Sequence, residues 1–200
     1  MNRHPAFDRD GQYRNRRSAI VETAVHLFNR SGFHATSVEE IATAVGISKA
    51  TLYYYFRDKP ELLYQCYLYA LDSGRDAAEQ AASAGGTGLQ RLEAYIRVQF
   101  STLAANDGAT WILSDLSVLS EAQRAEVKQR SRAVDHMLQG FIRDGMADGS
   151  IAARDPKIAE FFLIGAMNWL PRWYRPGGRY SSAELAEIFL GLTLDGLRAR

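Results

Sequence analysis

The chain has 200 residues, of which 46% are hydrophobic and 24% charged, so it is long enough for one or two folded domains and is neither disordered nor fibrous. No apolar run approaches the roughly 20 residues of a membrane span, the polar residues 1–10 predict no signal peptide, and a lone Cys66 excludes a disulfide framework. The charge is uneven, with nine Lys/Arg against six Asp/Glu in residues 1–60 and 15 against 17 in residues 61–200. These features predict a cytoplasmic protein whose first part favours an anionic partner.

Four helices are predicted in the first 80 residues from the helical spacing of their apolar residues. Residues 1–12 are polar, and we expect them to be disordered. Gly32 and Gly46 end two of the helices, since glycine adopts the left-handed conformation common at a helix C-terminus. The four helices run from about Arg14 to Ser31, from Thr36 or Ser37 to Val45, from Ser48 to about Phe56, and from Lys59, behind the capping residue Asp58, to about Gln80.

Five more helices are predicted after Ala81–Gly88, a glycine-rich stretch that is typical of a connection. Three of them begin behind residues that favour a helix N-terminus, namely Ser120, Asp155 and Ser182. The five helices cover about 89–105, 110–119, 120–147, 156–170 and the residues from 182 onward. Because no segment has the alternating pattern of a strand, the nine predicted helices indicate an all-α fold.

The two short helices on either side of Gly46 have the form of a helix-turn-helix. In that motif one helix supports the second, whose first side chains enter the major groove of DNA, about 12 Å wide. The three consecutive tyrosines Tyr53–Tyr55 cannot all be buried on one helix, and an outward hydroxyl is placed to bond a phosphate. Lys59 adds a positive charge at the start of the next helix. The predicted DNA-contacting residues are Thr36, Ser37, Ser48, Lys49, Ala50, Thr51, Tyr53, Tyr54, Tyr55 and Lys59.

The stretch Thr36–Leu63, TSVEEIATAVGISKATLYYYFRDKPELL, resembles the DNA-binding signature of the TetR/AcrR family of bacterial transcriptional regulators. The resemblance covers roughly residues 16–66 and departs from the family at Tyr55, where the usual residue is histidine. It implies an all-helical homodimer in which residues 1–60 bind a pseudo-palindromic DNA operator and residues 61–200 bind a ligand and dimerise. It also implies a regulator, most simply a repressor, that a small-molecule inducer releases from DNA.

The tail Trp169–Arg179 is similar to a stretch in family members that respond to acyl-CoA thioesters. In such a site the arginines would hold phosphates and an aromatic ring would stack on the adenine. The predicted ligand-binding residues are Phe100, Trp111, Phe141, Phe162, Met167, Trp169, Arg172, Trp173, Arg175 and Arg179. The alternative is that the arginines pair with carboxylates such as Asp144, Asp155 or Glu184, and that the tryptophans lie in the core or in a dimer interface.

The last two long helices each carry an apolar stripe, which predicts a dimer interface built from both helices and their two-fold copies. The residues assigned to it are Phe161, Gly165, Leu185, Phe189 and Leu192.

An enzyme is the rival class, and the sequence argues against it. We find no phosphate-binding glycine loop, no nucleophile elbow and no histidine–glutamate metal motif, and Gly85–Gly88 lacks the Lys-Ser/Thr of a P-loop. We therefore predict no cofactor and no metal site. A helical acyl-CoA-binding or adaptor protein without DNA binding is the remaining alternative, but it would not need a basic first helix or outward tyrosines.

Overall fold

The computed structural model describes residues 5–105, 116–175 and 177–194, and these residues form nine α-helices and one 3-10 turn. The all-α prediction is therefore confirmed. The predicted helix at 110–119 lies mainly outside the described residues, and its described end is the 3-10 turn. In chain order the elements are α1 (Pro5–Ser31), α2 (Val38–Val45), α3 (Lys49–Tyr55), α4 (Lys59–Ala84), α5 (Gly88–Ala105), the 3-10 turn (Leu116–Val118), α6 (Glu121–Asp148), α7 (Pro156–Asn168), α8 (Leu170–Trp173) and α9 (Ser182–Leu194).

Several helices begin directly after a residue whose side chain caps the helix N-terminus. The side chains of Ser37, Ser48, Asp58, Ser120 and Asp155 each accept a backbone N–H from the first turn of the following helix.

The cap of α9 corrects one prediction. Ser181, not Ser182, occupies the capping position, because the Ser181 hydroxyl accepts the Glu184 N–H while the Glu184 carboxylate accepts the Ser181 N–H. Ser182 is buried at the start of the helix.

Helix α1 begins at Pro5, nine residues before the predicted start, so the expectation of disorder in residues 1–12 was wrong for residues 5–12. Proline favours the first turn of a helix. Further along, the ring of Tyr13 packs against Tyr54 and Tyr55 of α3, with centroids 6.0 and 4.8 Å apart. This contact between distant parts of the chain favours the early turns of α1.

The core has two parts, which we call the head cluster and the body cluster. The head cluster joins α1, α2, α3 and the first half of α4, and it also takes in Leu119 and Val127 from the region around the start of α6. The body cluster joins the second half of α4 to α5, α6, α7, α8 and α9. Helix α4 therefore belongs to both parts and connects them.

A close approach of two helices fixes α6 in the body. A Cβ atom at Gly88 would lie 2.2 Å from the backbone of Gly145 and Phe141, so only glycine fits there. The Gly88 N–H donates to the Asp148 carboxylate over 2.8 Å, and the bonds from Ser150 and Gly88 lower the pKa of Asp148. The last turn of α6 thus caps the first turn of α5.

Helices α7 and α9 leave apolar side chains exposed. The inward face of α7 buries Leu163 and Met167, so the opposite face turns to the outside of the protomer. The large exposed apolar residues of the two helices are Ile158, Phe161, Phe162, Ile188 and Leu192. Among the described residues, no helix is both apolar enough and long enough to span a membrane.

Candidate DNA interface and effector cleft

The recognition helix α3 is held on the head by one buried side chain. Leu52 is fully buried, and α2 beneath it buries Ile41 and Ala42. Gly46, with φ of 76°, makes the left-handed turn between the two helices. Most of the other side chains of α3 are exposed.

Capping hydroxyls set where α2 and α3 begin. The Ser37 hydroxyl accepts the Glu40 N–H over 3.0 Å, and the Ser48 hydroxyl accepts the Thr51 N–H over 3.0 Å. Ser48 and Thr51 also share a hydrogen bond of 2.8 Å between their hydroxyls. These predicted contact residues therefore lie at the two helix starts, where DNA would approach.

Thr36 does not belong to the predicted contact surface. Its side chain is fully buried, and its hydroxyl donates to the carbonyls of Gly32 over 2.9 Å and Leu27 over 3.3 Å. The hydroxyl closes the turn after α1, so it is not available to a phosphate.

The three tyrosines have three different environments. Tyr54 is 74% exposed and Tyr53 is 43% exposed, as expected for residues that cannot share one buried face. Tyr55 is half-buried and packs against Tyr13. The role of Tyr13 was not predicted from the sequence. The only signal there was an aromatic residue just before the predicted start of α1.

Two lysines flank the tyrosines. Lys49 is exposed at the start of α3, where it forms an ion pair with Glu39 of α2 and lies 5.9 Å from the Tyr53 ring. Lys59 begins α4 with its ammonium group 4.2 Å from the Phe33 ring centroid, and partial burial lowers the pKa of Lys59. Ala50 is exposed, and no large side chain stands at its position in the middle of this surface.

The apolar residues predicted to bind ligand do not form one pocket. Phe100, Phe141 and Met167 are buried in the body cluster, where Phe100 packs against Phe189. Aromatic residues at helical spacing have the same sequence pattern whether they fill a core or line a cavity. Here these residues fill the core.

The other predicted aromatic ligand residues do not line an internal pocket either. Phe162 and Trp169 are about 60% exposed on the outer side of the body, and Trp173 is also exposed. Trp111 lies outside the described residues.

Among the residues that the structure describes, the three tail arginines share no partner. Arg172 lies 6.0 Å from the Trp169 ring, Arg175 donates to the Tyr174 carbonyl, and Arg179 lies 5.0 Å from the Tyr180 ring. The predicted anion site at these arginines is therefore not assembled in this structure.

In the described part of the chain, the three carboxylates suggested as alternative partners contact other groups instead. Asp144 pairs with Arg91, Asp155 caps α7, and Glu184 accepts from Ser181.

A cleft of about 390 Å³ lies between α4 and α6, and sequence reasoning missed it. Its apolar lining comes from α4, α6 and the 3-10 turn, whereas Lys128 and Arg132 of α6 bring two cations. Two cations four residues apart on a helix are normally a solvated face, so the sequence carried no clear signal. The lining residues are Tyr67, Ala70, Leu71, Leu116, Val127, Lys128, Ser131, Arg132 and Asn168.

A chain of polar contacts joins α4 to α6 near the cleft. The Tyr64 hydroxyl donates to the Glu126 carboxylate, which also accepts from Arg130 over 2.8 Å. Arg130 reaches on to Asp72 over 3.3 Å. The bonds from Tyr64 and Arg130 lower the pKa of Glu126, whereas burial raises the pKa of Tyr64 to about 12.

The predicted dimer residues divide into two groups. Phe161, Gly165 and Leu192 are exposed on the outer faces of α7 and α9. Leu185 is buried in the body cluster, and Phe189 is half-buried against it, so these two stabilise the protomer itself. The large apolar residues that α9 leaves exposed are Ile188 and Leu192.

Comparisons with known proteins identify the class. Residues 20–66 match the family described as bacterial regulatory proteins, tetR family, and residues 85–197 match the tetracyclin repressor-like C-terminal domain. The all-helical body behind a helix-turn-helix head agrees with both matches. The protein is thus a DNA-binding transcriptional regulator and not an enzyme. The chain belongs to the TetR family.

Individual relatives cover nearly the whole chain. The HTH-type transcriptional repressor KstR2 of Rhodococcus jostii is 28% identical over 200 residues, which is 98% of each chain. The HTH-type transcriptional regulator BetI of Rhizobium meliloti is 36% identical over 186 residues, which is 92% of this chain and 88% of BetI. The structure of AibR in complex with isovaleryl coenzyme A and operator DNA superposes with a TM-score of 0.75 at 26% identity, covering 90% of this chain and 98% of AibR.

Proposed function

We propose that the protein is a homodimeric repressor that binds a pseudo-palindromic operator through α3 and leaves it when an acyl-CoA binds to the body. The observation that carries the DNA-binding part is the outward face of α3. This face presents Lys49, Ala50, Tyr53 and Tyr54 to solvent, while Leu52 on the opposite side is fully buried.

The side chains of this face divide by the contacts that they can make. Lys49 and Ala50 stand at the leading end of α3, where a recognition helix meets base edges. Tyr53, Tyr54 and Lys59 carry donors further along the surface, which suits phosphate contacts that position the head without reading sequence. Tyr55 holds α1 against α3 through Tyr13 and is assigned a supporting role.

The exposed apolar faces of α7 and α9 support the dimer. Phe161, Phe162 and Ile158 on α7 lie exposed, as do Ile188 and Leu192 on α9. An apolar surface of this kind marks an interaction site. Pairing with a two-fold copy covers it and sets two recognition helices at a fixed spacing, as two half-sites require.

Two observations support an acyl-CoA effector. A similar protein, AibR, binds isovaleryl coenzyme A together with operator DNA. The body of this chain also has a cleft with an apolar lining and two cations. Release from DNA requires that the effector bind more tightly to a conformation in which the two heads no longer fit the operator. Helix α4, shared by both clusters, is the element that links the two sites.

A gel-shift assay with DNA from upstream of the protein's own gene tests the DNA-binding proposal. The wild-type protein should shift this DNA at concentrations at least a hundredfold below those needed for a random duplex of equal length. Tyr53→Phe should weaken both complexes alike, because its hydroxyl is assigned to a phosphate. Equal affinity of the wild-type protein for upstream and random DNA would contradict operator binding. Thioester binding without any shift would indicate the adaptor alternative.

A further inference from the structure

We infer that the first turns of α1 are a second DNA-contacting segment, in which Arg14 and Arg16 bind backbone phosphates and Tyr13 is the positioning residue that holds them beside α3. The inference rests on the operator binding proposed above and adds to it a segment outside the helix-turn-helix.

The first turns of α1 lie outside the core of the head. Among the side chains described in α1, the first buried one is Ile20, and none of residues 10–19 is buried. A helix in a protein gains most of its stability from packing an apolar face against the rest of the chain. Since residues 10–19 bury no such face, contacts of another kind must hold this segment in place.

Aromatic contacts hold the segment against the end of α3. The Tyr13 ring centroid lies 4.8 Å from that of Tyr55 and 6.0 Å from that of Tyr54, and the last two are 5.3 Å apart, so the three rings form one cluster. One turn further along α1, the Arg17 guanidinium lies 5.1 Å from the Phe56 ring centroid. Residues four apart share one face of a helix, so a single face of α1 packs along α3 and the residue that follows it.

The tyrosine cluster borders the surface that is proposed to meet DNA. Tyr54 is the most exposed of its three rings, and its hydroxyl is assigned above to a phosphate. At 3.6 residues per turn, Arg14 and Arg16 lie on opposite flanks of the face that carries Tyr13 and Arg17. The two arginines therefore stand beside the proposed phosphate contacts of α3, and a guanidinium group suits a phosphate because it can donate two parallel hydrogen bonds.

Arg14 and Arg16 also differ from other cations of the head in having no carboxylate partner. Arg30 and Arg57 each form an ion pair with a carboxylate of the head. Arg14 and Arg16 are exposed, and within residues 5–105, 116–175 and 177–194 no carboxylate lies within ion-pair distance of either. A phosphate that binds them releases counterions and does not have to break an ion pair first.

Fluorescence anisotropy at several salt concentrations tests the segment, with upstream DNA and a random duplex as probes. The R14Q/R16Q double variant should bind both DNAs about fivefold or more weakly than the wild type. Its slope of log K against log salt should fall in magnitude by about two, because each lost phosphate contact contributes about 0.9. The matched control is R143Q/R154Q, which removes two exposed arginines of the body and should keep the wild-type slope.

Variants of Tyr13 test its positioning role. Tyr13→Ala should reduce the salt slope as R14Q/R16Q does, because the arginines are no longer held beside α3. The combination Y13A/R14Q/R16Q should bind within about twofold of R14Q/R16Q, since residues that act as a unit are not additive. Tyr13→Phe keeps the ring contacts and should keep the wild-type slope.

The measurements separate failure of the segment from failure of operator binding. A wild-type slope in R14Q/R16Q, in a protein that prefers upstream DNA, overturns the segment and leaves operator binding intact. A slope reduced in R14Q/R16Q but not in Tyr13→Ala overturns the role of Tyr13. Equal binding of the wild-type protein to both DNAs contradicts operator binding, and the slope of R14Q/R16Q on the random duplex then still decides whether the segment contacts phosphates.

Discussion

The ammonium group of Lys49, the first residue of α3, forms an ion pair with the carboxylate of Glu39 on α2. Both side chains are about half exposed. The hydrogen bond between them lowers the pKa of Glu39 and raises that of Lys49, so both groups are charged at neutral pH. In the proposed complex, DNA that binds to α3 must therefore compete with Glu39 for the ammonium group of Lys49.

Glu39→Gln should tighten binding to the operator by up to about fivefold, because the substitution removes the carboxylate that competes with DNA for the Lys49 ammonium group. Fluorescence anisotropy at low salt measures the change. Glu40→Gln is the matched control, since the adjacent Glu40 pairs with Arg30 and not with Lys49. An equal gain from both substitutions would point to a general charge effect and contradict the competition.

Lys49→Ala and Lys59→Ala should have different consequences. Lys59→Ala should weaken operator and random DNA alike and reduce the slope of log K against log salt by about one, as expected for one lost phosphate contact. Lys49→Ala should instead alter the preference among operator sequences. Arg143→Ala, which removes an exposed cation of α6, is the control and should change neither quantity. A changed sequence preference in Lys59→Ala would reverse the assignment.

Phe161→Glu and Leu192→Glu should each turn the dimer into a monomer at micromolar concentration. Each buries an unpaired carboxylate in the proposed interface, which costs several kcal/mol. Sedimentation velocity gives the oligomeric state without DNA. Tyr54→Glu, a change at an equally exposed aromatic residue of the head, should remain dimeric. Persistent dimers in both interface variants would place the interface elsewhere.

Glu160 makes the stability of the body depend on pH. Its side chain is buried on α7, and this burial, with the nearby charge of Asp135, raises the pKa of Glu160 to about 7. The unfolded chain releases this proton near the ordinary value of 4.5, so the free energy of unfolding should fall between about pH 5 and pH 7 and then level off. The fall should be roughly 1–3 kcal/mol.

Glu160→Gln should flatten this pH dependence, because the amide keeps the shape of the neutral carboxyl and carries no charge. The Gln139 amide donates to Glu160 over 3.4 Å and also has an oxygen that can accept from the new amide. Urea unfolding at pH 5, 6, 7 and 8 compares the two proteins. Parallel curves for wild type and variant would show that Glu160 does not titrate in this range.

Local chemistry made the head predictable from sequence. Ser37, Ser48 and Asp58 are capping residues whose hydrogen bonds involve only the next few residues, and Gly46 needs a left-handed turn that few other residues adopt. Contacts between distant segments were not predictable in this way. The extension of α1 to Pro5 depends in part on Tyr13 meeting α3, which no local pattern encodes.

The candidate effector cleft was harder to predict, because an apolar stripe on a helix does not show which part of the protein packs against it. Phe141 and Phe162 belong to similar stripes, yet one is in the core and the other is outside. Lys128 and Arg132 have the pattern of a solvated helix face, and only the approach of α4 places them beside an apolar cleft. The candidate cleft thus depends on packing between helices, whereas the helix boundaries in the head depend mainly on local sequence.

Release of operator DNA by an acyl-CoA at the α4–α6 cleft is the central claim, and titration of a preformed complex tests it most directly. Octanoyl-CoA is added to the wild-type protein bound to fluorescent operator DNA, and the same is done with the K128Q/R132Q variant. The predicted result is a fall of the anisotropy to that of free DNA, with half-release in the variant at a concentration at least tenfold higher. An anisotropy that does not change at saturating octanoyl-CoA, or half-release at the same concentration for both proteins, would contradict it.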